Sequence, residues 1–366
     1  MRNRPLLRTS YNQELALLDT TSKKVAVGIL LAVGAALPWL VEDQLLQLIG
    51  LACVTAIGAI GLNIVTGYAG QVSLGHAFFL AIGAYTAAAI AGDPDARTIG
   101  FGVQEILIWL PAAGLVAAVA GVLVAPLATR LRGLYLAIVT LGLVFIGGHV
   151  INEWSELTGG PGIGRQPPAP KLFGYDLNAS DAFLTRDQKL YLLMLVLLVL
   201  AALAARNLAR SRVGRAFTAI RDRDIAAGVM GVNLARYKTI AFGVSSFYAG
   251  CAGALLYVGV GYFDPTTFNL LLSVQYIAMV LIGGAGTVSG AILGAFLITL
   301  LPRLIREVPS FLPFISNSPA ESPNAYQLET VLYGVLIIVF LIFEPRGLFG
   351  IWIRLRTYWK AWPFSY

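Results

Sequence analysis

Five uninterrupted apolar runs dominate this chain, at residues 25–41, 45–66, 106–128, 190–205 and 239–260. A helix that crosses the hydrocarbon core of a bilayer needs roughly 20 apolar residues. Backbone in lipid must satisfy its own hydrogen bonds, so helices and closed barrels are the only spanning forms. Barrel strands alternate polar and apolar over about ten residues. These runs are continuous, so the barrel is excluded. Composition agrees. Charged residues make up 12% of the chain and hydrophobic ones 57%, where a soluble domain carries about 25% charged; mean hydropathy is +0.76. The expected fold class is an all-α polytopic membrane protein of about ten transmembrane helices. They are placed near 25–41, 45–66, 74–91, 106–128, 135–151, 190–205, 239–260, 270–283, 290–302 and 330–343. The spans at 270–283, 290–302 and 330–343 are short for the bilayer core.

Charge sets the expected orientation. Lys and Arg collect in cytoplasmic loops. With the N-terminus inside, ten spans put 19 of the 26 Lys and Arg residues on the inner side and 7 on the outer side. The expected organisation is a cytoplasmic lead at 1–24, a transmembrane domain at 25–343 and a cytoplasmic tail at 344–366. The lead is polar and basic with no clean cleavage site after the first apolar run, which reads as a retained span instead of a signal peptide. Two Pro-rich outer segments, 152–188 and 302–328, suit either a soluble partner or simple connection.

Much chemistry is excluded. Cys53 and Cys251 lie inside apolar runs and read as small buried hydrophobes. With only His76 and His149 and no carboxylate cluster, no metal site emerges. No G-x-x-x-x-G-K-[ST] occurs, so the chain lacks that ATP-binding loop. No nucleophile and base arrangement supports an enzyme. The span centres hold no Asp, Glu, Lys or Arg, which weakens a proton-driven mechanism.

A short internal repeat stands out. GYAGQVS at 67–73 matches GGAGTVS at 283–289 in five of seven positions. Transporters built from two repeats carry Gly-interrupted hydrophobic segments at corresponding places. Broken backbone is tolerated at membrane depth only where it packs on protein or lines a cavity. Two pseudo-repeated halves with Gly-interrupted helices are expected. Asn63, Gly67, Gly70, Gln71, Ser73, Gly75, Gly283, Gly286, Thr287 and Ser289 are the candidates for the helix breaks and a translocation path. His76 reads more readily as a packing residue than as a ligand.

The longest inner loop, 206–238, reads RNLARSRVGRAFTAIRDRDIAAGVMGVNLARYK. Gly214 starts a short helix with an apolar side of Ala216, Phe217, Ala219 and Ile220. Arg215, Arg221 and Arg223 form a charged side, and Gly228 and Gly231 interrupt it. Such a helix suits docking in a partner's groove. A solvated, positive-inside loop explains the arginines but not the apolar face.

GRAFTAIRDRDIAAGVMGVNLARYKTIAF resembles the coupling segment of the branched-chain amino-acid type ABC importer permeases. GLNIVTGYAGQVSLGHAFFLAIGAYTAA, SSFYAGCAGALL, VLIGGAGTVSGAILGAFLI and the tail FEPRGLFGIWIRLRTYWKAWPF are also similar to that family, in order, from about residue 45 to the C-terminus. The coupling segment and tail look most like the M-type permease of a pair. The resemblance implies a non-catalytic membrane subunit that alternates access for leucine, isoleucine, valine or similar small solutes. It implies a heterodimer with a second permease subunit, two cytoplasmic ATPase subunits that carry the ATP, and an extracytoplasmic substrate-binding protein. The setting is the bacterial plasma (inner) membrane, in contact with membrane lipid, with both termini cytoplasmic and no nucleic acid. ATPase coupling falls to Gly214, Arg215, Ala219, Ile220, Arg221, Asp222 and Ala226. The competing reading is a stand-alone channel or secondary carrier for a small neutral solute such as urea or an amide, which leaves 206–238 unexplained.

Overall fold

The computed structural model describes residues 21–94, 97–131, 133–181, 183–306, 325–344 and 346–361. Most of the N-terminal lead and most of the 302–328 segment lie outside the described residues. The fold is helical throughout. In order come α1 (Thr21–Ala36), α2 (Asp43–Asn63), α3 (His76–Ala91), α4 (Ile106–Arg130), α5 (Leu134–Glu153), α6 (Arg186–Arg210), α7 (Arg212–Val229), α8 (Leu234–Leu256), α9 (Leu270–Gly283), α10 (Val288–Arg306), α11 (Ala325–Phe343) and α12 (Gly347–Ala361). All except α7 and α12 are apolar. Five of the described segments are long and apolar enough to cross a membrane: α2 with its extension to Tyr68, α4, α5, α6 and α8. A two-residue hairpin pairs Lys171–Leu172 with Tyr175–Asp176 between α5 and α6.

The bundle is layered around α2 and α8. In their most apolar windows, 83% of α2 and 72% of α8 is buried, against 33% of α4, 28% of α5 and 17% of α6. Helices in lipid gain no hydrophobic drive toward one another, so close approach over small residues decides which pack. Each glycine of α2 meets a different neighbour. A β-carbon on Gly50 would sit 3.1 Å from the Met194 sulfur of α6. One on Gly58 would lie 2.6 Å from the Tyr276 ring of α9, and one on Gly61 would lie 2.6 Å from the Tyr248 side chain of α8. On α8, a β-carbon at Gly250 would meet Ala117 of α4 at 2.5 Å, and one at Gly253 would reach the Leu80 carbonyl of α3 at 2.0 Å. A buried hydroxyl pair, Thr55 with Thr299 at 2.8 Å, adds a polar tie between α2 and α10.

One end of the bundle is tied by Arg165. It is buried, and its guanidinium donates to the carbonyls of Leu157, Ala88 and Ile99. Burial pulls its pKa below the usual arginine range; three carbonyl acceptors compensate the desolvated charge. Beside it, Tyr85, Tyr257, Phe263 and Phe268 form an aromatic cluster, with Tyr257 stacked on Phe263 at 5.4 Å between centroids. The opposite end carries the interrupted helices and α7.

Candidate coupling site at the interrupted helices

The stretch after α2 does not continue as α-helix. Ile64–Tyr68 widens into a single π-turn, with Ala69 N–H donating to the Ile64 carbonyl at 3.1 Å. π-Bulges of this kind concentrate at functional sites. The chain then leaves the helix, and α3 starts at His76, two residues later than the sequence reading of 74–91. The second copy of the motif behaves alike. α9 stops at Gly283 and α10 begins at Val288. Gly70 and Gly286 occupy the same position of the two copies, and both take left-handed backbone, φ 67° and φ 79°. A residue with a β-carbon pays roughly 1–2 kcal/mol for that conformation. The paired glycines in the sequence therefore mark paired left-handed turns. The copies then diverge. Gln71–Gly75 runs without regular secondary structure before α3, whereas Thr287 turns directly into α10, its hydroxyl accepting from Gly290 N–H at 3.2 Å.

The two copies touch each other. Asn63 Nδ2 donates to the Thr287 carbonyl at 2.9 Å, and Asn63 Oδ1 accepts from the Gly286 amide at 2.8 Å. A β-carbon on Gly67 would fall 2.3 Å from the Gly286 nitrogen. Residues 223 positions apart are thus joined by one buried side-chain amide.

Helix α7 lies on this junction. Its start is capped by Ser211, whose hydroxyl accepts from the amides of Val213 and Gly214. Arg221 Nη1 donates to the Gly67 carbonyl at 3.0 Å, and Arg221 Nε pairs with Asp222 at 3.1 Å. The Arg221 stem packs over Gly70, where an added β-carbon would lie 2.7 Å from Cγ. The same guanidinium sits over Gly286, 2.9 Å from where a β-carbon would be. One arginine therefore touches the left-handed glycine of both copies. A cavity of about 210 Å³ opens beside it, lined among others by Gly70, Gln71, Asp222, Asp224 and Lys238.

The apolar side of α7 is used inside this chain. Gly214, Ala216, Phe217 and Ile220 are buried, and Phe217 belongs to the hydrophobic core. Of the expected coupling residues, Gly214 and Ile220 are buried within this chain: Gly214 closes on the Leu208 and Ala209 carbonyls, and Ile220 lines the cavity beside Gly70 and Arg221. Arg215, Ala219, Arg221, Asp222 and Ala226 are exposed. The helix ends at Val229, with Gly231 left-handed at φ 87°, where the two glycines were expected to interrupt it; it also carries a kink within its length. Arg223 takes extended backbone (φ −158°, ψ 97°), five residues before Gly228, and the helix resumes to Val229. Past that kink, Ile225, Val229 and Met230 are 71%, 84% and 84% exposed. The sequence reading missed this apolar tip because it assigned the apolar face to residues before the kink.

Of the remaining candidates, Gly75 packs against α5. Leu74 N–H donates to the Thr140 hydroxyl at 3.0 Å, and a β-carbon on Gly75 would meet the Thr140 carbonyl at 2.9 Å. Ser73 accepts a long bond from Gly75 N–H at 3.4 Å. Gly283 closes on Gly290, 2.1 Å from its carbonyl if a β-carbon were added. Ser289 enters α10 and is not part of the extended break. Gln71 is buried, and neither its amide oxygen nor its nitrogen has a protein partner. His76 packs: its ring lies 4.8 Å from that of Tyr276 and bonds the Gly58 backbone. His76 Nε2 and the Tyr276 hydroxyl are unpartnered within the protein. No group of three His, Cys, Asp or Glu suited to a metal exists among the described residues.

Comparison with known proteins agrees with this geometry. Residues 44–341 match the family model for the branched-chain amino acid transport system permease component. The chain is 33% identical over 346 residues to the high-affinity branched-chain amino acid transport system permease protein LivM of Salmonella typhimurium, covering 90% of this chain and 76% of that protein. LivM of Escherichia coli K12 gives the same identity and coverage. The LivH permease protein of Escherichia coli K12 is 24% identical over 84% of this chain and 95% of its own length. No solved structure matches the chain. A polytopic helical membrane protein with two interrupted helices, matched across 44–341, belongs to the branched-chain amino acid transport system permease component family.

Proposed function

We propose that this chain is one permease subunit of an ATP-driven importer for branched-chain amino acids or similar small solutes. It pairs with a second permease, takes its energy from two cytoplasmic ATPases, and receives solute from an extracytoplasmic binding protein. The α7 end faces the cytoplasm, as do both termini. The observation that carries this reading is Arg221, which stands on α7 and contacts the interrupted helix of both repeats.

The mechanism follows from the contacts. The exposed tip Ile225, Val229 and Met230 gives an ATPase groove apolar surface to hold, and helix-in-groove docking uses such anchors. When the ATPases close, they displace α7. Buried Phe217 and Ile220 make α7 move with its bundle instead of sliding over it. Arg221 passes the displacement to Gly67 and Gly70, and Asn63 carries it to Gly286 and Thr287. Both breaks shift together, because packed interfaces switch between discrete arrangements instead of deforming continuously. The unpartnered amide of Gln71 and the His76–Tyr276 pair supply polar interior beside the breaks, where buried polar groups ordinarily find a partner. An uncharged lining of this kind suits a weak, transient solute site.

The test is isolation of the tagged chain in mild detergent, identification of stoichiometric partners by mass spectrometry, and reconstitution with ATP and radiolabelled leucine. A second permease and ATPases that support ATP-dependent uptake uphold the proposal. A self-sufficient monomer or homo-oligomer that moves solute without ATPases overturns it.

A further inference from the structure

Helix α12 has an unclaimed side. Residues 351–359 are all exposed, including Trp352 at 58% and Trp359 at 76%. Yet the sequence GLFGIWIRLRTYWKA is strongly two-sided. Leu348, Ile351, Trp352, Leu355 and Trp359 recur at helical spacing on one face. Arg354, Arg356 and Thr357 lie off that face. Large apolar side chains left in water on a 15-residue helix need a covering surface.

The covering surface can be argued from chemistry and position. The helix starts at Gly347, close behind the last apolar helix, which ends at Phe343. Tryptophan and tyrosine prefer the headgroup level of a bilayer, where one side is apolar and the other wet. A basic polar face with Trp and Leu opposite is the pattern of helices that lie in the interface plane and favour anionic lipid. Its root is fixed to the transport machinery. A β-carbon on Gly347 would lie 2.6 Å from the Gly284 nitrogen, and one on Gly284 would lie 2.7 Å from the Arg346 carbonyl. Gly347 is itself left-handed, φ 64°, so the chain turns sharply onto the second interrupted helix before running out as α12. Arg354 pairs with Glu344 at 2.7 Å, which sets the angle at which the helix leaves the bundle.

We propose that α12 is a membrane-surface element that seats its Trp352, Leu355 and Trp359 face in the inner leaflet and binds anionic phospholipid headgroups through Arg354 and Arg356. Because its root packs on Gly284, its seating positions the second interrupted helix. The proposal rests on the α7 end facing the cytoplasm.

The test uses the assembled permease with its ATPases in nanodiscs. Lipids brominated in the acyl chain quench tryptophan within the bilayer, and the contribution of Trp352 and Trp359 is the difference between wild type and a W352F/W359F variant. In phosphatidylglycerol-rich discs that contribution is expected to fall by roughly half, and to recover in phosphatidylcholine discs or in an R356E variant, which leaves the Arg354–Glu344 pair in place. A contribution that is unquenched in every lipid, or is buried by the ATPases or a second permease, overturns the proposal. Equal quenching in both lipids overturns the anionic selectivity. Partner identification is a separate readout, so failure here is distinguishable from failure of the importer reading.

Discussion

Asn63 holds Gly286 from the far side of the sequence: its Oδ1 accepts the Gly286 amide at 2.8 Å while its Nδ2 donates to the next carbonyl, that of Thr287, at 2.9 Å. Both atoms of one fully buried amide are thereby satisfied by the other repeat's backbone.

Asn63→Leu removes both bonds; the Thr287 carbonyl keeps its bond from the Ala291 amide, but the part-buried Gly286 N–H loses its partner, at about 1–3 kcal/mol. The expected outcome is a lower melting temperature of the purified chain and loss of uptake. Asn63→Asp keeps an acceptor for Gly286 but sets a second oxygen against the Thr287 carbonyl at a fully buried position, so it is not expected to restore the tie. Equal stability of Asn63→Leu and wild type in a thermal shift assay would remove the tie from the mechanism.

Arg221→Glu reverses the charge that holds the Gly67 carbonyl. A carboxylate cannot donate to a carbonyl, so the junction loses its link to α7. Uptake is expected to drop more than about tenfold while the chain still inserts and its partners still hydrolyse ATP. Arg221→Lys keeps a donor but loses the planar fork, and an intermediate rate is expected. Paired measurements of ATP turnover and leucine uptake separate uncoupling from misfolding.

Gly70→Ala and Gly286→Ala each combine two penalties, left-handed backbone and a β-carbon driven against Arg221. Gly162→Ala is the control, because Gly162 has φ 77° but open space around it. The control is expected to lose only the conformational cost of about 1–2 kcal/mol. The two repeat variants should lose transport as well, which uptake assays at matched membrane levels will read.

Arg165→Ala leaves three carbonyls at the opposite end without their donor. Hydrogen bonds to a charged group contribute about 1.5–3 kcal/mol each at most, so a severe loss of thermal stability is expected. Arg165→Lys cannot span the three acceptors with one ammonium and should recover only part. Thermal unfolding of the detergent-solubilised variants provides the comparison.

The legible part of this protein was the part written in local pattern. Continuous apolar runs located the spanning helices, because lipid admits only self-satisfied backbone. The repeated Gly-x-Ala-Gly located the two breaks, because left-handed backbone selects glycine. The 206–238 segment was legible as an amphipathic helix, but which of its apolar residues the chain itself covers was not. Amphipathicity shows that a face must be covered; it does not say whether the cover is the chain itself or a partner. Phe217 and Ile220 are covered from within, and Ile225, Val229 and Met230 are the ones left out.

What the sequence alone determined, then, was the membrane-spanning helical class, the two glycine-marked interruptions and the basic segment beside them, each a consequence of hydropathy or of backbone sterics acting within a few residues. What only the tertiary structure decided was that Asn63, Gly67, Gly70, Arg221 and Gly286 meet. Those residues are separated by up to 223 positions, and their contact depends on how α2, α7, α9 and α10 pack over small side chains. Interhelical packing is a property of whole shapes fitted together, so no single stretch of sequence carries it.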